Sequence, residues 1–105
     1  MRTVYLCGPI TNGETAIPER VRRNIEQFGI VRRKFGPGTI VLGPDAIAKK
    51  ALSWEESMKQ VIPMLCESDL VVLLPGWEDS KGACFEIFIA RTLNIPIVFS
   101  DHLPI

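Results

Sequence analysis

A chain of 105 residues, 47% of them hydrophobic, has enough apolar side chains for one globular core and not for two. Twelve basic residues balance twelve acidic ones, so charge gives no reason to expect a nucleic acid or an anionic membrane as a partner. The longest apolar stretches are too short to span a bilayer. The chain opens on a strand pattern rather than a signal peptide, so a single cytoplasmic domain over residues 1–105 is expected.

The cysteines and the histidine do not form a metal-binding pattern. Cys7, Cys66 and Cys84 are widely spaced without a C-x-x-C pair, and the one histidine, His102, lies in the tail. Each cysteine sits in an apolar run, which predicts small buried thiols in a reducing compartment. The fingerprints of dinucleotide and P-loop sites are also absent, so neither a cofactor nor a metal ion is expected.

The first half of the chain predicts two strands with one helix between them. Residues 3–7 read as a buried strand stopped by Gly8-Pro9, which either ends the strand or lets a ligand approach the backbone closely. A helix begins near Pro18, and its arginines are interpreted as a solvated face. Residues 39–42 form the second strand.

The second helix has a capping signal at its start and a proline near its end. Ser53 and Glu56 have the spacing of a capping box, so the helix begins there and runs to about Glu67. Pro63 lies inside it and lacks the amide that would bond back one turn. A kink or a restarted turn is therefore expected at that position.

The second half of the chain completes an alternating pattern. Residues 70–74 form an apolar strand, residues 83–93 a third helix and residues 95–100 a fourth strand. The alternation predicts an α/β fold: a three-layer, open parallel sheet of four or five strands, Rossmann-like or flavodoxin-like. In such sheets the ligand crevice lies at the carboxyl ends of the strands. We expect the loops over residues 8–15 and 75–82 to meet there.

Glu86 is the lone charge in the apolar start of the third helix. Burying an ionised carboxylate costs several kcal/mol unless hydrogen bonds or a counter-charge compensate, so such groups seldom lack a role. One turn past Gly82, the side chain is expected near the mouth of the crevice. The alternative is that it projects into solvent or pairs with Arg91 or an arginine of the first helix.

Other residues near the crevice also carry two interpretations. Ser80 and Gly82 open the third helix, where free amides attract an anion such as phosphate, although Ser80 could serve only as a cap. Trp77 could stack on a base or sugar, but covering the sheet edge is favoured. Tyr5 is expected in the core, with its hydroxyl on a polar partner at the strand end.

Three segments together resemble the nucleoside 2-deoxyribosyltransferase superfamily, in particular its small phage and bacterial branch. They are residues 5–10 (YLCGPI), 68–78 (SDLVVLLPGWE) and 80–86 (SKGACFE). A deoxynucleoside 5′-monophosphate N-hydrolase is a related member. The resemblance covers nearly the whole chain, from Thr3 to about Val98.

The resemblance implies an open parallel sheet and cleavage or transfer of the N-glycosidic bond of a deoxyribonucleoside or its 5′-monophosphate. Glu86 would be the catalytic nucleophile that attacks the anomeric carbon, as in a retaining glycosidase. Tyr5, Gly8 and Ile10 would line the base and sugar pocket, with Ser80 and Gly82 near a 5′-phosphate. The candidate substrate-binding residues are therefore Tyr5, Gly8, Pro9, Ile10, Trp77, Ser80 and Gly82.

The sequence departs from the family pattern at one position. The family usually has an aspartate eight residues before the one that starts the third strand, and here Val61 stands eight residues before Asp69. Valine cannot move a proton, and losing such help typically slows a reaction by about 10²–10⁴-fold. The alternative hypothesis is therefore a non-catalytic module that binds or sequesters a nucleotide.

A structural oligomerisation domain is the third hypothesis, because the third helix is apolar on nearly all sides. A helix of this kind is expected to be covered on most of its surface. All three hypotheses predict a homodimer or a higher homo-oligomer.

Overall fold

In the computed structural model, which describes residues 2–10, 18–48, 50 and 52–103, strands alternate with helices. The strands are β1 (Arg2–Cys7), β2 (Thr39–Leu42), β3 (Leu70–Leu73) and β4 (Ile97–Phe99). The helices are α1 (Pro18–Arg32), α2 (Trp54–Cys66) and α3 (Lys81–Thr92). Short 3₁₀ turns follow β2, β3 and β4. Residues 11–15 of the first predicted loop lie outside the described residues.

The four strands form one parallel sheet in the order β2-β1-β3-β4. Tyr5 of β1 pairs with Leu42 of β2 on one side and with Val71 of β3 on the other. The chain therefore leaves β1 for one neighbour and later returns to the other, which places the reversal of strand order between β1 and β3. The predicted α/β parallel-sheet fold is confirmed.

Alternate residues of the strands point into two separate cores. Tyr5 and Cys7 of β1 lie on the face covered by α2 and α3. Val4 and Leu6 point the other way, where they pack with Phe28 of α1. The sheet is thus covered on both faces, which explains why its central strands are apolar without alternation.

Helix α2 begins as its capping box predicts and continues past its proline. The Ser53 hydroxyl accepts a hydrogen bond from the Glu56 amide at 3.1 Å, and the Glu56 carboxylate accepts one from the Ser53 amide at 3.0 Å. The prediction of a restarted turn at Pro63 is wrong, because one helix runs from Trp54 to Cys66. Pro63 is exposed, so water can satisfy the carbonyl that the missing amide leaves free.

A further prediction about burial is wrong for two of the three cysteines. Cys7 is buried as expected, but Cys66 and Cys84 are exposed, because each lies on the outer side of its helix. Helix α3 has more apolar surface than the sheet covers, as expected: Phe85 keeps 42% and Phe88 66% of its surface exposed. The described chain has no element left to cover that face.

No helix among the described residues is both long enough and apolar enough to cross a membrane.

Candidate functional site

A cavity of about 540 Å³ opens at the carboxyl ends of β1, β2 and β3. This volume lies within the range of small-molecule sites, about 300–1,000 Å³. Its wall comes from the segment after β1, the segment between β2 and α2, the inner side of α2 and the first turns of α3. The described residues in the wall are Gly8, Ile10, Pro44, Ile47, Ala48, Lys50, Leu52, Trp54, Glu55, Ser57, Met58, Val61, Ser80, Lys81, Gly82, Ala83 and Glu86.

The Glu86 carboxylate lies between this cavity and β1, with 3% of the residue exposed. The Tyr5 hydroxyl donates a hydrogen bond to its Oε2 atom. The Cys7 thiol lies 3.4 Å from its Oε1 atom and donates to it. The interpretations in which Glu86 projects into solvent or pairs with an arginine are therefore wrong. The polar partner expected for Tyr5 is Glu86 itself.

Burial and the two donors act on the pKa of Glu86 in opposite directions. The net result is a pKa raised from 4.5 to about 7. Burial raises it, and the hydrogen bonds from Tyr5 and Cys7 lower it by a smaller amount. Burial, followed by the charge of Glu86, holds the pKa values of Tyr5 and Cys7 well above their ordinary ranges. Both groups therefore stay protonated and remain donors, while Glu86 changes charge near neutral pH.

The segments after β1 and β3 meet beside the cavity, as predicted for the described part of the first loop. Pro9 is buried, and its Cγ atom lies 3.1 Å from where a Cβ on Gly76 would stand. Gly76 has a φ of 89°, a backbone conformation that favours glycine, and the close approach of Pro9 adds to that preference. The Ile10 carbonyl accepts a hydrogen bond from the Asn24 side chain at 2.9 Å, which links this loop to α1.

The amino-terminal turn of α3 forms another part of the wall. The Ser80 hydroxyl caps the helix by accepting a hydrogen bond from the Ala83 amide at 3.1 Å. Gly82 faces α2, and a Cβ there would make ordinary contacts, 3.5 Å from Met58 Sδ and 3.6 Å from the indole nitrogen of Trp54. Lys81 Nζ stands 4.0 Å from the Trp54 ring centroid, which adds a cation–π contact.

The structure brings most of the predicted site residues together. The cavity is lined by Gly8, Ile10, Ser80, Gly82 and Glu86. Tyr5 is not itself in the described wall but donates a hydrogen bond to Glu86, which is. Trp77 packs, partly buried, against the core cluster below α2 and α3 and is not among the described wall residues. Its position agrees with the favoured interpretation of a covering residue. Pro9 supports the loop rather than the described wall.

Sequence reasoning missed the wall formed by the segment between β2 and α2 and by the first turns of α2, which includes Lys50, Trp54, Glu55 and Met58. The signal was available in the capping box at Ser53, which places the first turn of α2 shortly after β2. Because parallel strands share one carboxyl edge, that turn belongs at the same edge as the other loops. Val61 of α2 also lies in this wall and is 1% exposed.

Among the described residues, no three histidine, cysteine, aspartate or glutamate side chains come together in a group that could hold a metal ion. Every buried side-chain nitrogen and oxygen in the described ranges has a hydrogen-bond partner. Glu86 is the buried charged group of the wall, and its hydrogen bonds come from Tyr5 and Cys7.

Comparison with known proteins identifies a family and a fold. Residues 2–99 match the family described as "Domain of unknown function (DUF4406)". The fold is similar to that of a conserved protein from Enterococcus faecalis V583, with a TM-score of 0.67 and 22% identity. The match covers 94% of this chain and 62% of that one, so this chain spans less than two thirds of the Enterococcus protein. No curated protein matches the chain.

Proposed function

The chain belongs to the family described as domain of unknown function (DUF4406), and from its site we propose that it acts on the N-glycosidic bond of a deoxyribonucleoside or its 5′-monophosphate. The observation that carries the proposal is the Glu86 carboxylate, buried against β1 and in the wall of a cavity of about 540 Å³. A buried acid with a raised pKa in a cleft is the typical setting of a catalytic group. The resemblance noted in the sequence supplies the reaction class.

Glu86 acts as the nucleophile in this proposal. One carboxylate oxygen forms a bond to the anomeric carbon, and the bond from that carbon to the base nitrogen breaks, with its electron pair leaving on the base. The departing base takes a proton from a water molecule in the open cavity, and the hydroxide left behind accepts the proton that the next nucleophile releases. Water or a second base then attacks the same carbon, which releases Glu86 as a carboxylate. The configuration at that carbon is retained after two displacements.

The first turn of α3 supports an anionic substrate such as a 5′-monophosphate. Ser80, Lys81 and Gly82 lie there, where amides and the helix dipole favour negative charge. Lys50 adds a second basic group to the cavity wall. A phosphate bound at this turn would direct the sugar toward Glu86, one turn further along the helix.

Binding without turnover is the second candidate, and the position of Val61 favours it. Val61 is buried in the cavity wall. The enzymes that this sequence resembles usually have a carboxylate at this position, which assists proton transfer. An apolar group there can contact a sugar but cannot supply a proton. The two candidates share the nucleotide and differ in whether the base is released.

Incubation with a panel of deoxynucleosides and their monophosphates tests the proposal, with free base followed by chromatography, with and without a second base. Base release is expected, and Glu86→Gln should reduce it by at least about 10³-fold because the amide is a poor nucleophile. Activity should fall as pH drops below about 7, where Glu86 gains a proton.

Glu67→Gln is the matched control, since Glu67 is an exposed glutamate at the far end of α2. It should keep wild-type activity. Full activity in Glu86→Gln would overturn the proposed chemistry. Nucleotide-dependent stabilisation without base release would favour the binding module, and no nucleotide effect of either kind would favour a structural role.

A further inference from the structure

Cys7 places a thiol against the carboxylate that the proposed reaction uses. The residue is 0% exposed, and its Sγ atom lies 3.4 Å from Glu86 Oε1. Tyr5 stands two residues earlier on β1, so both side chains point to the same face of the sheet. Tyr5 donates to Oε2, the other oxygen of the same carboxylate.

This arrangement fixes the carboxylate from both ends. A carboxylate with one donor can rotate about its last bond, whereas donors on both oxygens define the plane of the group. The two donors come from one strand in the middle of the sheet, bonded to β2 and β3 on either side. The strand therefore sets the orientation of Glu86, although Glu86 itself lies on α3.

The charged groups in the wall act from further away. Lys50, Glu55 and Lys81 line the cavity, and all three are exposed. The α2 side chains Met58 and Val61, which complete the inner wall, are apolar and buried. Among the described residues, Tyr5 and Cys7 are the groups that form hydrogen bonds with Glu86.

We propose that Cys7 is a positioning residue for Glu86, with its thiol holding Oε1 while the Tyr5 hydroxyl holds Oε2. The inference deepens the proposed function and rests on it for its catalytic consequence. The effect of the thiol on Glu86 is also measurable without turnover, because the carboxylate titrates whether or not it reacts.

The thiol has a second acceptor, which suits a group whose partner changes during a reaction. The Ala83 carbonyl oxygen lies 3.5 Å from Cys7 Sγ. When Glu86 is protonated or bonded to the sugar, the thiol can turn to Ala83 and avoid being left buried without a partner. Tyr5 has no second acceptor recorded among the described residues.

Direct titration of Glu86 by ¹³C NMR tests the inference, with carboxyl-labelled glutamate and Glu86→Gln to assign the signal. The wild-type titration midpoint is expected at a pH of about 7. Cys7→Ala removes a donor that favours the charged form, so the pKa of Glu86 should rise by roughly half a unit. Cys7→Ser keeps a donor and should return the midpoint toward the wild-type value.

Cys66→Ala is the matched control, because this exposed thiol lies at the carboxyl end of α2. It should leave the titration of Glu86 unchanged. Cys7→Val fills the space without donating, so it covers the case in which Cys7→Ala fails to fold. An unchanged midpoint in a folded Cys7→Ala or Cys7→Val protein would overturn the inference.

The pH profile of kcat/KM supplies the catalytic readout. In Cys7→Ala, the acidic limb of the profile should shift to higher pH by the same amount as the NMR midpoint. The KM at high pH should change little. A wild-type protein that releases base with a profile unaffected by Cys7→Ala would overturn the positioning role and leave the proposed function intact. A shifted midpoint without base release from any substrate would support the positioning role and overturn the proposed enzyme activity.

Discussion

Glu86 is 3% exposed, and burial raises the pKa of its carboxyl group from 4.5 to about 7 even though two donors act against the rise. Desolvation therefore outweighs the hydrogen bonds from Tyr5 and Cys7. The proposed reaction needs the ionised form of Glu86, and this form is less stable in the folded protein than it is in water. Function and stability consequently oppose each other at this residue.

Replacing Glu86 by glutamine should raise the unfolding free energy, relative to the wild type, progressively as pH increases from 4.5 to 8. With its folded pKa above its unfolded value, the wild-type acid contributes stability that is fully present below about pH 4.5 and is lost as pH rises through about 7. Glutamine does not titrate. At about 1.4 kcal/mol per pKa unit, the advantage of Glu86→Gln over the wild type should grow by up to about 3 kcal/mol between pH 4.5 and pH 8.

Urea unfolding of both proteins at pH 5, 6, 7 and 8 measures this difference. The comparison isolates Glu86, since every other titrating group is common to the two chains. A difference in unfolding free energy that stays constant across the series would contradict the prediction. It would mean that the carboxylate has the same proton affinity in the folded and unfolded chains.

At this scale the sequence identified Glu86 because a single charge in an apolar helical run is conspicuous. It could not tell Cys7, which is buried, from Cys66 and Cys84, which are exposed. All three lie in apolar runs, and the side of the helix on which a cysteine falls depends on tertiary packing. Trp54 was missed although the capping box at Ser53 marks the start of its helix, because placing that first turn at the cavity also requires the shared carboxyl edge of the sheet.

At the scale of elements, the ends of β1 and β3 approach closely at Gly8. A Cβ on Gly8 would lie 2.9 Å from Leu74 Cβ and 3.6 Å from the Phe28 ring. Leu74 is anchored by a hydrogen bond from its amide to the Cys7 carbonyl at 2.8 Å. Neither backbone can move away without breaking the pairing that forms the floor of the site.

Gly8→Ala should therefore destabilise the fold by about 2 kcal/mol, the usual range for overpacking a core. Gly36→Ala is the matched control, since no atom lies within 4 Å of the Cβ that it would introduce. The control should be neutral or slightly stabilising, because alanine restricts the unfolded chain. Denaturant midpoints measure both variants, and equal midpoints would show that β1 and β3 can separate at this point.

The elements themselves were largely predictable, because each has a strong local signal. Strand β2 and the start of α2 lie where the apolar run and the capping box placed them. Helix α3 begins two residues earlier than predicted, at Lys81, because Ser80 caps it. The neighbour relation of α2 and α3 could not be predicted from local patterns, since it depends on the order of strands in the sheet.

At the scale of the whole molecule, the cavity and an apolar surface lie side by side. Trp54, in the cavity wall, has its ring centroid 6.0 Å from that of Phe85 on the outer side of α3. Phe88 follows on the same helix and is 66% exposed. The predicted homo-oligomer stays a prediction, and this surface, formed by Trp54, Phe85 and Phe88, is where we expect a second copy to bind.

Phe88→Glu should weaken self-association, because a charge would have to be desolvated at the centre of that surface. Sedimentation velocity over a range of protein concentrations should show the wild type as a dimer or larger, and Phe88→Glu shifted toward the monomer. The control is Ile30→Glu, since Ile30 is 43% exposed on α1, across the sheet from α3. Its substitution introduces the same charge on the opposite face and should leave the assembly intact. A monomeric wild type, or equal effects of the two substitutions, would show that the apolar face of α3 does not bind a second copy.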